Sequence, residues 1–458
     1  MKDYSLIEYV GLKEIVGPIF FIENIHNVGY NELVEIVDSK DNTRLGITLE
    51  VAKNFAVVEV LEGTAGISLK NARIRFKEKP LLLGVSGDML GRIFDGKGNP
   101  IDGLPKPVFD LELNVNGLSI NPTARDYPKN IIITGISAID VMTTLVRGQK
   151  LPIFSGNGLP HNLLADQVVI QSDIKENFCV VFAGIGISYD IANFFIKSFK
   201  ENNVLERSVV FLSLANSSSI ERIFTPRVAL TCAQYLAFFK NMNVLVVMTD
   251  MSNYCEALRE ISSIRGEIPS RKGYPGYLYS DLASLYERAA VIKGLEGSLT
   301  LMPILSMPND DITHPIPDLT GYITEGQIVL DRDMYNRGIY PPIAGLPSLS
   351  RLMKDNIGKG FTREDHFDLY SQLFSCYAKV KDIRALASII GEEELSLLDI
   401  LYLKFGDEFE RKFINQGYNE FRSLEESLDL GWRALSVLPK DELIKIKEEY
   451  ISKYYKKS

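Results

Sequence analysis

Five apolar runs in the middle third of the chain constrain the fold more than any other feature. They span 151–155, 178–183, 209–214, 244–249 and 299–306, and helical patterns such as 163–171, 219–239 and 280–292 lie between them. Runs of strand length that are apolar throughout, rather than alternating, have both faces buried. That predicts a parallel sheet covered by helices on both sides, an α/β architecture. Ligands of such a sheet sit at the carboxyl ends of its strands. Gly156-Asn-Gly158-Leu-Pro160-His161-Asn162 falls at that place, between the strand at 151–155 and the next helix.

Strand, glycine-rich turn and helix form the layout of a phosphate-binding loop, written G-x-x-x-x-G-K-[ST]. Its lysine reaches the β- and γ-phosphates and its hydroxyl holds Mg²⁺. Here His161 and Asn162 hold those places, or Asn162 and Leu163 if the frame slides by one. No Lys or Arg occurs between Lys150 and Lys175. A neutral imidazole does not replace a fixed ammonium facing a triphosphate. The loop is therefore read as degenerate, unable to support hydrolysis of its own.

Neighbouring strand ends are the places where the remaining parts of a hydrolase would stand. Val244-Leu-Val-Val-Met-Thr-Asp250 has the shape of a strand whose terminal carboxylate holds Mg²⁺ through water, but an Asp there also caps the following turn, and the cap is the favoured reading. After Gly186, where a carboxylate would orient the attacking water, stands Ile187, whose alkyl chain polarises nothing. Asp190 is expected to cap the helix that begins there. Pro341-Pro-Ile-Ala344-Gly-Leu-Pro-Ser348-Leu-Ser350-Arg351 follows the alternating pattern, with prolines fixing the backbone and one arginine projecting beyond Ser350. A surface arginine of this kind pairs with a carboxylate, or its planar, permanent charge serves a phosphoryl group in transfer. Arg271-Lys-Gly-Tyr274-Pro-Gly-Tyr277-Leu-Tyr279 reads either as a packed turn or as a partner surface. His314 and His366 stand alone and are expected in loop and cap roles; no metal site is expected.

Outside the middle third the patterns change. From Leu6 to about Phe76 short β-rich segments and turns predict a small barrel, followed by a glycine-dense connector. Beyond Thr362 the pattern is helical, with Thr362-x-x-Asp365, Ser396-x-x-Asp399 and Ser423-x-x-Glu426 as candidate capping boxes. Leu424, Leu428, Gly431, Leu435 and Leu438 share one helix face, which suits a bundle. The 440–457 tail interleaves Lys with Glu and is read as a solvated helix face. A net charge of −9, from 50 Lys+Arg against 59 Asp+Glu, argues against a nucleic-acid binder. The four cysteines, Cys179, Cys232, Cys255 and Cys376, share no disulfide or metal spacing and are expected as buried thiols. The longest apolar stretch, 179–196, is broken by two glycines, Asp190 and Asn193, so no membrane span and no signal peptide are expected.

Long strings in order then point to one family. They are Glu14-Ile-Val-Gly-Pro, Gly87-Asp-Met-Leu-Gly-Arg-Ile-Phe-Asp-Gly, Thr134-Gly-Ile-Ser-Ala-Ile-Asp140, Arg147-Gly-Gln-Lys-Leu-Pro-Ile-Phe-Ser-Gly, Glu221-Arg-Ile-Phe-Thr-Pro-Arg227, Thr249-Asp-Met-Ser-Asn-Tyr-Cys-Glu-Ala-Leu-Arg-Glu260 and Met307-Pro-Asn-Asp-Asp-Ile-Thr-His-Pro-Ile-Pro-Asp-Leu-Thr-Gly-Tyr322. The chain resembles the non-catalytic B subunits of V/A-type rotary ATPases nearly end to end. The resemblance implies an N-terminal β-barrel (1–76), a central RecA-like α/β domain with a degenerate P-loop (77–350) and a C-terminal helical bundle (351–458). It implies an alternating head of three catalytic A and three B subunits, joined to central and peripheral stalks and, through them, to a membrane sector moving H⁺ or Na⁺. The chain would then lie peripherally at the cytoplasmic face of a membrane. ATP or ADP with Mg²⁺ would be held mainly by the A subunit, with Arg351 offered across the interface as an arginine finger beside Ser350. Gly156, Gly158, His161 and Asn162 would form a vestigial site holding no nucleotide tightly. The resemblance also places Tyr274 and Tyr279 near the interior of the head. The family signature has Asp or Asn after Pro-Pro-Ile; Ala344 departs from it and removes a side-chain hydrogen bond near the finger.

Overall fold

The computed structural model describes residues 7–38, 40–117, 120–172 and 177–456; Leu6 and Lys457, at the ends of two predicted segments, lie outside them. The first element is a seven-stranded antiparallel sheet in the order Glu8–Val10, Arg73–Pro80, Glu32–Val37, Thr43–Val51, Phe55–Val60, Ile19–Glu23, Glu14–Val16. Its two outer strands follow one another in the chain with only Gly11, Leu12 and Lys13 between them, so the sheet rolls into the expected barrel. Alternation sets the inside: Val34, Ile36, Ile74 and Phe76 face a core that also holds Phe20 and Val58.

All five apolar runs become strands of one sheet, ordered Leu349–Ser350, Gly326–Val329, Ile153–Gly156, Ser298–Met307, Asn243–Thr249, Phe178–Ile187, Ser208–Leu214, Ile93–Asp95. Every neighbouring pair is parallel except the edge pair of Gly326–Val329 with Leu349–Ser350. Asn243–Thr249 is buried at all positions, as an interior strand flanked by helices must be. The helix expected over 280–292 ends early, at Leu278–Tyr286, and Ala290–Ile292 forms a strand antiparallel to Ser298 and Leu299. Two forces break it. The β-branched pair Val291-Ile292 next to Gly294 (φ 79) favours a hairpin, and the buried Arg288 guanidinium turns inward to Gln234, Thr231 and the carbonyls of Val115 and Arg227.

The last quarter is helical: His366–Ile390, Leu397–Glu408 continuing as a π-helical turn Phe409–Ile414, Leu424–Leu435 and Glu448–Tyr454. Ser396/Asp399 and Ser423/Glu426 form capping boxes. Thr362/Asp365 does not. The Asp365 carboxylate is taken by Arg363 and by Trp432 Nε1 at 2.6 Å, while Thr362 Oγ1 accepts from Gly358 N and bonds His366 Nδ1. Of the five residues expected on one helix face, Leu428, Gly431 and Leu435 are buried and Leu424 is half-buried, while Leu438 is buried just beyond the helix end. The tail is a 3-10 turn over Lys440–Glu442 and an α-helix over Glu448–Tyr454, and it is not simply a solvated face: Ile451 is buried and Tyr454 packs on Trp432. All four cysteines are buried free thiols, and no helix among the described residues is long and apolar enough to cross a membrane. The bundle shares one core with the sheet's helices, pinned by Ser137 to Ser427 and by Arg337 to Glu410.

Candidate functional site

Two places on this sheet carry the chemistry singled out from the sequence, and they lie at opposite ends of its strands. At the carboxyl end, Ile153–Gly156 runs into Asn157 and Gly158 and then the helix His161–Gln171. Gly158 takes φ 80, a left-handed turn that glycine adopts without penalty. His161 Nδ1 is hydrogen-bonded to Ser155 Oγ at 3.0 Å, and Asn162 Oδ1 accepts from Thr249 Oγ1 at 3.4 Å. Burial holds the His161 imidazole below its usual titration range, and the nearby Asp250 charge only partly opposes this. Where a phosphate loop needs a cation, the chain thus presents a neutral ring.

A cation does reach the loop, from a distant segment that carries no phosphate-binding motif. Arg332, in the short helix Arg332–Asn336, donates Nη2 to Asn157 O at 2.8 Å and grips Asp310 with Nε and Nη2. The Asp310 carboxylate lies against Gly156 itself. The signal was present in Pro308-Asn-Asp310, since Asn and Asp are the residues that tolerate left-handed turns; Asn309 and Asp310 have φ 57 and 56. Neutral His161, a missing lysine and a carboxylate seated on the glycine do not fit a Mg²⁺-bound triphosphate here.

Asp250 is a cap: Oδ1 accepts from Ser252 N at 2.7 Å and Ser306 N at 3.2 Å, and Oδ2 accepts from Ser306 Oγ. Ile187 is core, packed on Gly184. Asp190 lies in the first turn of Tyr189–Glu201, but the cap is Ser188, whose Oγ accepts from Ile191 N; the chain reaches extended backbone, which a cap requires, two residues earlier than expected. His314 caps the helix Pro315–Ile323, whereas His366 is the buried first residue of its helix, tied to Val141 O. Tyr274 is buried with its hydroxyl on Glu256, while Tyr277 and Tyr279 are exposed, so the Gly/Pro loop is part packed turn and part surface.

At the amino end, Leu349–Ser350 pairs with the start of Gly326–Val329, and Arg351 N donates to Glu325 O at 2.9 Å. The Arg351 side chain is exposed and makes one 3.4 Å hydrogen bond, to Thr324 O. Among the described residues it has no ion pair. The adjacent Glu325 carboxylate is already bound to Lys150, at 2.7 Å from Nζ and 2.8 Å from the backbone N. The segment before it is pinned despite Ala344. Ala344 N donates to Val329 O at 2.8 Å, Ser348 Oγ accepts from Val329 N at 2.9 Å, Gln327 Nε2 donates to Pro347 O, and Gln149 Nε2 donates to Ser350 Oγ at 2.8 Å. Ile153 is level with Ile328 across the sheet, so Gly156 and Glu325 are six residues apart along the strands, about 20 Å. Arg351 and the chain's own glycine loop cannot meet.

Comparisons with known proteins agree with this layout. Residues 135–350 match the model of the ATP synthase alpha/beta family, nucleotide-binding domain. Residues 12–77 match that family's beta-barrel domain, and 355–455 match the C-terminal domain of V and A type ATP synthase. The V-type ATP synthase beta chain of Halothermothrix orenii is 57% identical over 454 residues, covering 98% of each chain. That of Thermotoga neapolitana is 58% identical over 453 residues, again 98% of each. A solved ATP synthase subunit, NeqB from Nanoarcheaum equitans, is 43% identical with TM-score 0.74, covering 92% of this chain and 98% of its own. A barrel, a nucleotide-domain sheet and a V/A-type helical domain in one order, with full-length relatives above half identity, leave one conclusion: the chain belongs to the ATP synthase alpha/beta family, in its V-type beta-chain branch.

Proposed function

We propose that this beta chain is the non-catalytic partner in its rotary complex and that Arg351 is its contribution to chemistry. One observation carries the reading: an exposed arginine with no ion pair among the described residues, on a backbone fixed at the sheet's edge, about 20 Å from a glycine loop that lacks the means to hold a triphosphate. Arg351 then has work to do only on a neighbouring subunit, beside ATP or ADP and Mg²⁺ held by the catalytic A subunit. Its guanidinium stabilises charge spreading over the phosphoryl group in transfer, and Ser350, held by Gln149, positions it. Closure of the two subunits decides when the arginine arrives, which couples hydrolysis or synthesis to rotation of a central stalk and to H⁺ or Na⁺ movement in a membrane sector. The chain sits peripherally at the cytoplasmic face in an alternating A3B3 head, with divisions at 1–76, 77–350 and 351–458. The test is ATP turnover by the purified chain alone. None is expected; robust turnover would instead make it an autonomous hydrolase.

A further inference from the structure

Asp310 and Arg332 close over the glycine loop from two separate segments. A Cβ built on Gly156 would lie 1.8 Å from Asp310 Oδ1 and 2.6 Å from Arg332 Nη2, so only glycine lets the carboxylate rest on the loop. Arg332 meets that carboxylate with two of its nitrogens, Nη2 at 2.8 Å from Oδ1, in the forked arrangement a guanidinium also uses for phosphate. Nη2 bonds Asn157 O as well, which aims the fork at the loop. Consecutive left-handed residues, Asn309 and Asp310, turn the chain so that the carboxylate arrives there.

We propose that this is an oxyanion site filled by the chain's own carboxylate: Asp310 stands where a phosphate group would, and Arg332 is the cation that would receive it. The ligand class is a diphosphate, free or on a nucleotide. The missing lysine therefore explains only part of the loop's silence; the seat is also taken. Both side chains of the pair are about two-fifths exposed, at 40% and 39%, and pairs so exposed are weakly held. Neutralising the carboxylate, without rebuilding the loop, is enough to open the site. The role of Arg351 has no bearing on this.

The experiment is calorimetry of the full chain in Mg²⁺-free buffer with pyrophosphate, ADP and adenosine. Asp310→Asn is expected to bind pyrophosphate at least tenfold more tightly than the unsubstituted chain, and Asp310→Asn/Arg332→Gln to return to the starting affinity. An equal gain for ADP assigns the phosphates of a nucleotide, and a gain for pyrophosphate alone assigns a free diphosphate; both support the proposal. Should Asp310→Asn fail to fold, Asp310→Ser carries the same expectations. Unchanged affinity in the folded variant, a gain that survives loss of Arg332, or adenosine binding as tightly as ADP overturns it. Tight pyrophosphate binding by the unsubstituted chain overturns both the proposal and the reading of the loop as vestigial.

Discussion

The edge of the central sheet carries an arginine at each end, and the two are held in opposite ways. Arg332, at the carboxyl end, is bidentate on Asp310 and bonded to Asn157 O. Arg351, at the amino end, has a fixed backbone and a side chain with one long hydrogen bond. The difference arises from what each neighbouring carboxylate is doing. Asp310 is delivered to Arg332 by its turn, whereas Glu325, whose backbone carbonyl accepts from Arg351 N, has its carboxylate spent on Lys150. A permanently charged side chain left unpaired at an exposed edge is poised for a partner; one already bonded to a carboxylate is not. On the proposed reading the same residue type has two roles, set by the availability of one anion.

The contrast is open to breaking. In the assembled complex Arg351→Lys keeps the charge but loses the planar fork, and turnover is expected to fall by on the order of 10²–10³-fold. Arg332→Gln is expected to leave turnover unchanged. Equal losses in steady-state ATPase assays would erase the distinction between the two arginines.

A third arginine sharpens it by showing what a locked one is worth. Arg337 follows the Arg332 helix and holds Glu410 of the helical domain, together with Arg384 at 2.6 Å and Tyr377 at 2.6 Å. Burial alone would raise the Glu410 carboxyl; these three donors outweigh it and hold the group down at about 2. Its folded value lies below its ordinary one, so its contribution is present above about pH 4.5 and is lost as pH falls from there towards 2. Glu410→Gln is expected to cost about 3 kcal/mol at neutral pH and to flatten the acid limb of stability, read by thermal unfolding across pH. An unchanged acid limb would remove Glu410 from the account. A smaller effect is expected at the Arg351 segment itself: Ser348→Ala leaves Val329 N unbonded, costing about 1–2 kcal/mol in denaturant unfolding. No loss there would mean that Ala344 and Gln149 suffice.

How much of this is legible in the sequence depends on whether the signal is local. The strands at 178–183 and 244–249 announced themselves because both faces are apolar, and Ser396 and Ser423 because a capping box is complete within four residues. Thr362/Asp365 offered the same letters, but Arg363 and, 67 residues on, Trp432 claim the carboxylate, and nothing near Asp365 announces the Trp432 contact. Arg288 ended a helix early for the same reason: its acceptors come from two distant segments, Val115 and the helix carrying Arg227, Thr231 and Gln234. The degenerate loop was visible by its missing lysine, yet the Arg332–Asp310 pair over it was not, since Arg332 is 175 residues from its Asn157 contact. Arg351 stood out only through the proline-rich string before it. That Glu325 would be bound to Lys150, leaving the arginine unpaired, required the sheet to bring 150 beside 325.

ATP turnover of the assembled complex carrying Arg351→Ala tests the central claim most directly. The expected result is an intact head, by native mass measurement, whose turnover has dropped by on the order of 10³–10⁵-fold. An intact head turning over at close to the unsubstituted rate would contradict the claim that this guanidinium serves a neighbour's phosphate.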